Sequence, residues 1–168
     1  MSRFENSRKN SFLSELNNFP SIDSPENDLT KRCKFNFSYF DASQKAGQDF
    51  KDWTHKQLID LLEKLKAYSQ RSLNHWARER VGSSGLTVFA TYPNFPQRSE
   101  FKEPTKTIPY QVLWSRFRLG NKIRLIGFVV PPEYHKKVHS TTGEFFDKNT
   151  FYVVFLDRDH KFYKTENR

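Results

Sequence analysis

From Cys33 to Phe40 the chain alternates, with Cys33, Phe35, Phe37 and Tyr39 apolar and Lys34, Asn36 and Ser38 polar. A period of two predicts a strand with one buried face. The period changes after Trp53. Leu58, Leu61, Leu62 and Leu65 recur at helical spacing, and Tyr68, Leu73 and Trp76 continue it, predicting helical structure to about Glu79 with the leucine stripe in the core. Thr54 and Gln57 fit a capping box at its start. Ser69-Gln-Arg-Ser72 either breaks the region into two helices, with Ser72 capping the second, or is absorbed into one long helix.

Gly82-Ser-Ser-Gly85 ends the helical part. Pro93, Pro96, Pro104 and Pro109 then exclude a continuous helix or central strand over 88–109. This segment reads as a long surface crossing pinned by Phe89, Tyr92, Phe95 and Phe101. Strands are predicted over about 110–118, 122–130 and 150–157, followed by a short end piece over 160–164. Pro131-Pro132 stops the middle strand, and 133–149 reads as a polar loop or partial helix. Ile126 to Val130 and Phe151 to Leu156 are apolar on both faces, as in central strands covered on each side. The helical segment supplies one cover, and the crossing or the N-terminal arm the other. Residues 1–31 are rich in Ser, Asn and charge and read as a loosely ordered arm. Within it Phe12, Leu13, Leu16 and Phe19 suit one short helix. The predicted architecture is α+β, with an antiparallel sheet of about four strands and an N-terminal helical pair on one face. It forms a single domain over 32–168 behind the arm.

Charge narrows the function. The chain has 168 residues, and 28 Lys and Arg against 19 Asp and Glu give a formal charge of +9. A field of that sign attracts polyanions, with nucleic acid foremost. The single cysteine, Cys33, excludes an intrachain disulfide and a cysteine-based zinc site, and suits a reducing compartment. The N-terminus carries no secretory pattern and no run has the length of a membrane span, so a cytoplasmic protein without a membrane partner is expected.

Along 114–125 basic and apolar residues alternate around Gly120-Asn121, a hairpin signal. A two-residue turn would mix charge with apolar residues on both faces. A three-residue turn that uses Leu119 would place Arg116, Arg118, Lys122 and Arg124 on one face and Phe117, Ile123 and Leu125 on the other. Burial favours the second register. The basic face then adjoins the last turn, where Asp157, Arg158, Asp159, His160, Lys161 and Tyr163 gather.

The order of strand, helical pair and antiparallel strands, the Lys-Ile-Arg-Leu-Ile-Gly-Phe strand and the ending Val-Val-Phe-Leu-Asp-Arg-Asp-His-Lys-Phe-Tyr resemble the RelE/ParE-like toxin superfamily, including its HigB and YoeB branches. The resemblance spans residues 33–80 and 110–164. It implies a metal-free, cofactor-free endoribonuclease that cleaves mRNA, or a gyrase poison as in the ParE branch. It also implies a cognate antitoxin as protein partner. Arg124 would take the mid-sheet position that steadies the scissile phosphate, and His160 and Tyr163 the acid/base and stacking positions. Such cleavage needs a proton mover, phosphate donors and a stacking ring. His160, Arg124 with Lys122, and Tyr163 meet that need. Asp157 or Asp159 would orient His160 or act as a base. Ribosome dependence follows if the site is incomplete alone. The 30-residue arm, the proline-rich crossing and the long loop before the last strand depart from the family pattern, as does the two-residue gap between His160 and Tyr163.

Arg116, Arg118, Arg158 and Lys161 are further candidates for nucleic-acid contact, as are Lys136 and Lys137. The last two lie between His135 and His139, whose i,i+4 spacing suits a metal pair but lacks the intervening Glu of a zinc protease motif. The segment therefore reads as a basic loop touching nucleic acid. Two rival functions are a non-catalytic nucleic-acid-binding module using the basic face, and a basic adaptor for an acidic protein.

Overall fold

Capping decides the helical region. In the computed structural model, which describes residues 6–16, 19–24, 27–83 and 85–164, the Thr54 hydroxyl accepts the Gln57 N–H at 3.3 Å. Gln57 Oε1 in turn accepts the Thr54 N–H at 2.9 Å. Ser72 accepts the His75 N–H at 3.2 Å. The region is two helices. In chain order the elements are α1 (Ser7–Leu16), β1 (Lys34–Asn36), α2 (His55–Tyr68), α3 (Leu73–Arg78), β2 (Phe89–Tyr92), β3 (Leu113–Arg118), β4 (Arg124–Val129) and β5 (Thr150–Asp157). The break after α2 uses its freed carbonyls. Tyr68 O accepts from Trp76 Nε1 at 2.7 Å, and Arg71 O from Cys33 N at 2.9 Å.

The chain divides into two compact units, Met1–Lys31 and Arg32–Arg168. The first holds α1, whose Phe12, Leu13 and Leu16 are exposed; Phe19 lies beyond the helix. Pro25 of the predicted arm and Ser84 of the Gly82–Gly85 turn fall outside the described residues.

The second unit is α+β. Its sheet has five strands in the order β1-β5-β4-β3-β2, with β1 parallel to β5 and every other pair antiparallel. The fifth strand is β2, at one edge, where the sequence predicts surface crossing. The prolines begin only at Pro93, and an edge strand needs a partner on one side alone. The predicted strand over 33–40 shortens to Lys34–Asn36, because Asn36 Oδ1 accepts the Ser38 N–H at 2.9 Å and turns the chain away. The predicted end piece over 160–164 is a turn rather than a strand.

Both sheet faces are buried. Phe117, Leu125, Phe151, Val153 and Leu156 pack towards Leu61, Tyr68 and Leu73 of the helices. Leu62 is exposed, contrary to its expected place in the core, because Leu61 and Leu65 already span the strip of α2 that meets the sheet. On the other face Trp114, Ile126, Phe128 and Phe155 pack against Phe101 and Ile108 of the crossing and Phe162 of the last turn. A register shift between Ile126 and Gly127 marks a bulge on β5, leaving Val154 as the extra residue. Its carbonyl accepts the Asp41 N–H at 2.8 Å. The bulge lets Val154 and Phe155, neighbours in sequence, both join this second cluster.

Candidate functional site

The hairpin at Gly120 sets the face of every arginine near it. Arg118 pairs with Arg124 and Arg116 with Ile126. Five residues, 119–123, connect the strands instead of three, and Leu119 N donates to Ile123 O at 3.0 Å. Relative to the predicted register the pairing moves by two residues. A shift of two preserves side-chain parity, so Arg116, Arg118 and Arg124 still share one face. Lys122 does not join them: it falls in the connection and is exposed.

The three guanidiniums have different duties. Arg124, only 4% exposed, ties the connection by donating from Nη1 to Gly120 O, Asn121 O and Ile123 O at 2.9–3.0 Å. Arg116 donates from Nη1 to Thr87 O at 2.9 Å and Val88 O at 3.3 Å, holding the approach to β2. Arg118 is half-buried, and its Nε finds no partner among the described residues; the same is true of Arg124 Nε. Burial, and then the charges of Arg118 and Arg116, bring Arg124 down to about 10. Burial and Arg116 lower Arg118 also. The three guanidiniums concentrate positive charge on a partly desolvated face.

Asp157, the residue opposite Arg124 on β5, is fully buried. Its carboxylate accepts the backbone N–H groups of Lys161 and Phe162, each at 2.9 Å. These bonds close a turn in which His160 takes a left-handed conformation, φ 61°. Histidine tolerates this region better than most residues, and the carboxylate offsets the strain. Asp157 thus positions His160 through the backbone. Asp159 is exposed, beside Arg158 and Lys161. His160 is half-buried. Burial lowers its pKa below the usual 6.5; Arg124, Arg118 and Arg116 push the same way, and Asp157 opposes them. The imidazole is neutral at pH 7.

Tyr92, Arg116, Arg124, Asp157, His160 and Tyr163 line one narrow pocket with about 10 Å³ of free volume, room for one water-sized group. Tyr163 stacks on Tyr92 with ring centres 5.0 Å apart and planes 13° apart. The C-terminal histidine and tyrosine therefore meet Arg124 at a single place. Tyr92 belongs to the same pocket. Its sequence signal was a short proline-free run bounded by two aromatics, Phe89 and Tyr92, which the prolines that follow obscure.

Other candidates lie elsewhere. Arg158 turns towards the Phe50–Asp52 segment, with Nη1 3.4 Å from Asp52 O and Nε 3.7 Å from Asp159. Lys161 is shared between Glu100 and Asp159, each at 3.9 Å. Lys136 and Lys137 follow the far end of β4, about 20 Å of strand from Arg124, and Lys137 Nζ sits 4.9 Å over the Tyr134 ring. The His135–His139 stretch is a loop, not a helix. Both Nδ1 atoms accept backbone N–H groups, from Lys148 and from Thr141 and Thr142 respectively.

Comparison with family models, with curated proteins and with solved structures gives no match to this chain. Among the described residues no helix is long and apolar enough to cross a membrane.

Proposed function

We propose that the protein is a metal-free endoribonuclease of the RelE/ParE type that cleaves mRNA at the pocket lined by Arg116, Arg124 and His160. The observation that carries this reading is the His160 imidazole sharing one pocket with the Arg116 and Arg124 guanidiniums. The chemistry divides as follows. Neutral His160 takes the proton of the ribose 2′-OH, the 2′-oxygen attacks the adjacent phosphorus, and the bond to the 5′-oxygen breaks. Negative charge growing on the phosphoryl oxygens meets the arginines. The pocket is too small for a phosphate, so the phosphodiester rests at its mouth. Arg118, opposite Arg124 in the ladder and less buried than Arg116 or Arg124, is the guanidinium such contact would use; Arg116 and Arg124 contribute charge while Nη1 of each holds a backbone carbonyl. Tyr163, stacked on Tyr92 and partly exposed, offers a ring to an unpaired base. The proton for the leaving 5′-oxygen comes from a tyrosine hydroxyl of the same pocket, Tyr163 or Tyr92. The order of strand, two helices and antiparallel strands supports the same reading. A cognate antitoxin would restrain the activity by covering the pocket mouth.

The commitment of Arg116 and Arg124 to carbonyls favours a second reading, a nucleic-acid-binding module without catalysis. Primer extension on cellular RNA after a short pulse of expression separates the two. New 5′ ends and growth arrest, both lost in His160→Ala, support cleavage. Intact transcripts and normal growth at full expression of soluble protein would rule it out.

A further inference from the structure

We propose that the aromatic pocket at the opposite end of β4 from Arg124 binds an unpaired nucleobase of single-stranded RNA. The inference rests on the reading of the arginine–histidine pocket as a phosphodiester site.

The pocket measures about 320 Å³, at the lower end of the range for sites that enclose a small organic group. Its floor is ring upon ring. Phe128 and Tyr152 stack with centres 4.9 Å apart and planes 11° apart, and Tyr39 meets them edge-on at 5.1 and 5.8 Å. The facing wall comes from the loop after Pro131, where Tyr134 and His139 set their edges against Phe146 at 5.7 and 5.5 Å. A planar group entering here is met by rings of the sheet and of the loop, an aromatic lining that suits an unpaired base.

A nucleobase also needs donors and acceptors at its rim, and the lining supplies them. Gln111 contributes an amide. Burial raises the Tyr152 pKa, so its hydroxyl stays protonated and able to donate. His139 Nδ1 accepts the Thr141 and Thr142 N–H groups at 3.3 and 3.2 Å, which leaves Nε2 to carry the ring's N–H donor. Charge at the rim is mixed: Lys136, Lys137 and Lys148 stand beside Glu133, Glu144 and Asp147, of which Asp147 is paired with Lys34 at 2.6 Å, and the attraction for a polyanion comes from the chain's formal charge of +9.

The test uses full-length protein and a short 2′-O-methyl oligoribonucleotide, which cannot be cleaved by 2′-OH attack, with affinity read by fluorescence anisotropy. One abasic nucleotide is placed at each position in turn. Abasic substitution at one position away from the cleavage phosphate is expected to weaken binding about tenfold. Phe146→Ala and Tyr134→Ala, each checked for unchanged thermal unfolding, should lose a similar factor and become indifferent to the abasic position, since the two losses report one contact. Tight, salt-sensitive binding with no abasic effect anywhere overturns this inference and leaves the phosphodiester reading standing. Absence of RNA binding at low salt removes both. Saturable binding of a polyproline peptide, lost in Phe146→Ala and unaffected by the oligonucleotide, would assign the pocket to a peptide and overturn it too.

Discussion

Arg118 and Arg124 stand directly opposite one another across the β3–β4 ladder, two like charges in adjacent register positions. Such pairs destabilise a sheet. An anion bound between them would relieve that repulsion. Replacing Arg118 by Gln is therefore expected to raise stability by about 0.5 kcal/mol in low-salt buffer without phosphate. Added inorganic phosphate should raise the melting temperature of the native protein through binding linkage and leave that of R118Q nearly unchanged. Scanning calorimetry at two phosphate concentrations checks both effects, and an equal response of the two proteins would contradict an anion site at Arg118.

Asp157 supports the site from inside. Asp157→Ala strands two backbone N–H groups and removes the carboxylate that offsets Arg124. The expected loss is about 3 kcal/mol, measured by urea unfolding. Asp157→Asn keeps an acceptor but only one oxygen, and should fall between the two proteins. Cleavage should drop in both variants, because the turn that presents His160 loosens.

Acid tests His160. Its folded pKa lies below the unfolded value near 6.5, so between the two values the unfolded chain binds more protons than the folded one. The contribution of this group to stability is complete above 6.5 and declines as pH falls through the folded pKa. Cleavage that uses the neutral imidazole should show an acidic limb with its midpoint below 6.5. Arg118→Gln removes one of the charges that depress the pKa, and should move the midpoint upward. A limb that stays in place in R118Q, or that survives His160→Gln, would assign it to another group.

Gly127 occupies the bulge between β4 and β5. A Cβ there would lie 2.0 Å from Tyr152 O and 2.9 Å from the Phe151 ring, both fixed parts of the sheet. Gly127→Ala is expected to cost about 2–3 kcal/mol. It would also disturb Tyr152, so the aromatic pocket should weaken along with stability. Denaturant titration and tyrosine ring signals in NMR report the two consequences separately.

Much of the fold was legible because it follows from local rules. Thr54 with Gln57 and Ser72 with His75 act over three residues, and those caps stand where their side chains suggested. The basic face survived a misjudged turn length because parity depends only on whether a shift is odd or even. Edges were harder to see. β2 is four residues long and followed by proline, and β1 is cut short at Asn36 by one side-chain bond. Neither length is encoded in the strand's own periodicity.

By itself the sequence determined which residues alternate, where helices begin, and that Arg116 and Arg118 share a face, since backbone geometry imposes those periods on any chain. Tertiary structure alone decided what each side chain does there. It gave Arg124 three carbonyls to hold, left Lys122 in solvent, turned the Asp157 carboxylate onto two backbone N–H groups and closed Tyr39, Phe128 and Tyr152 into one aromatic floor. The physical reason is reach. A long polar side chain goes to whichever buried donor or acceptor the assembled fold leaves unpaired, and those groups come from segments far apart in the chain.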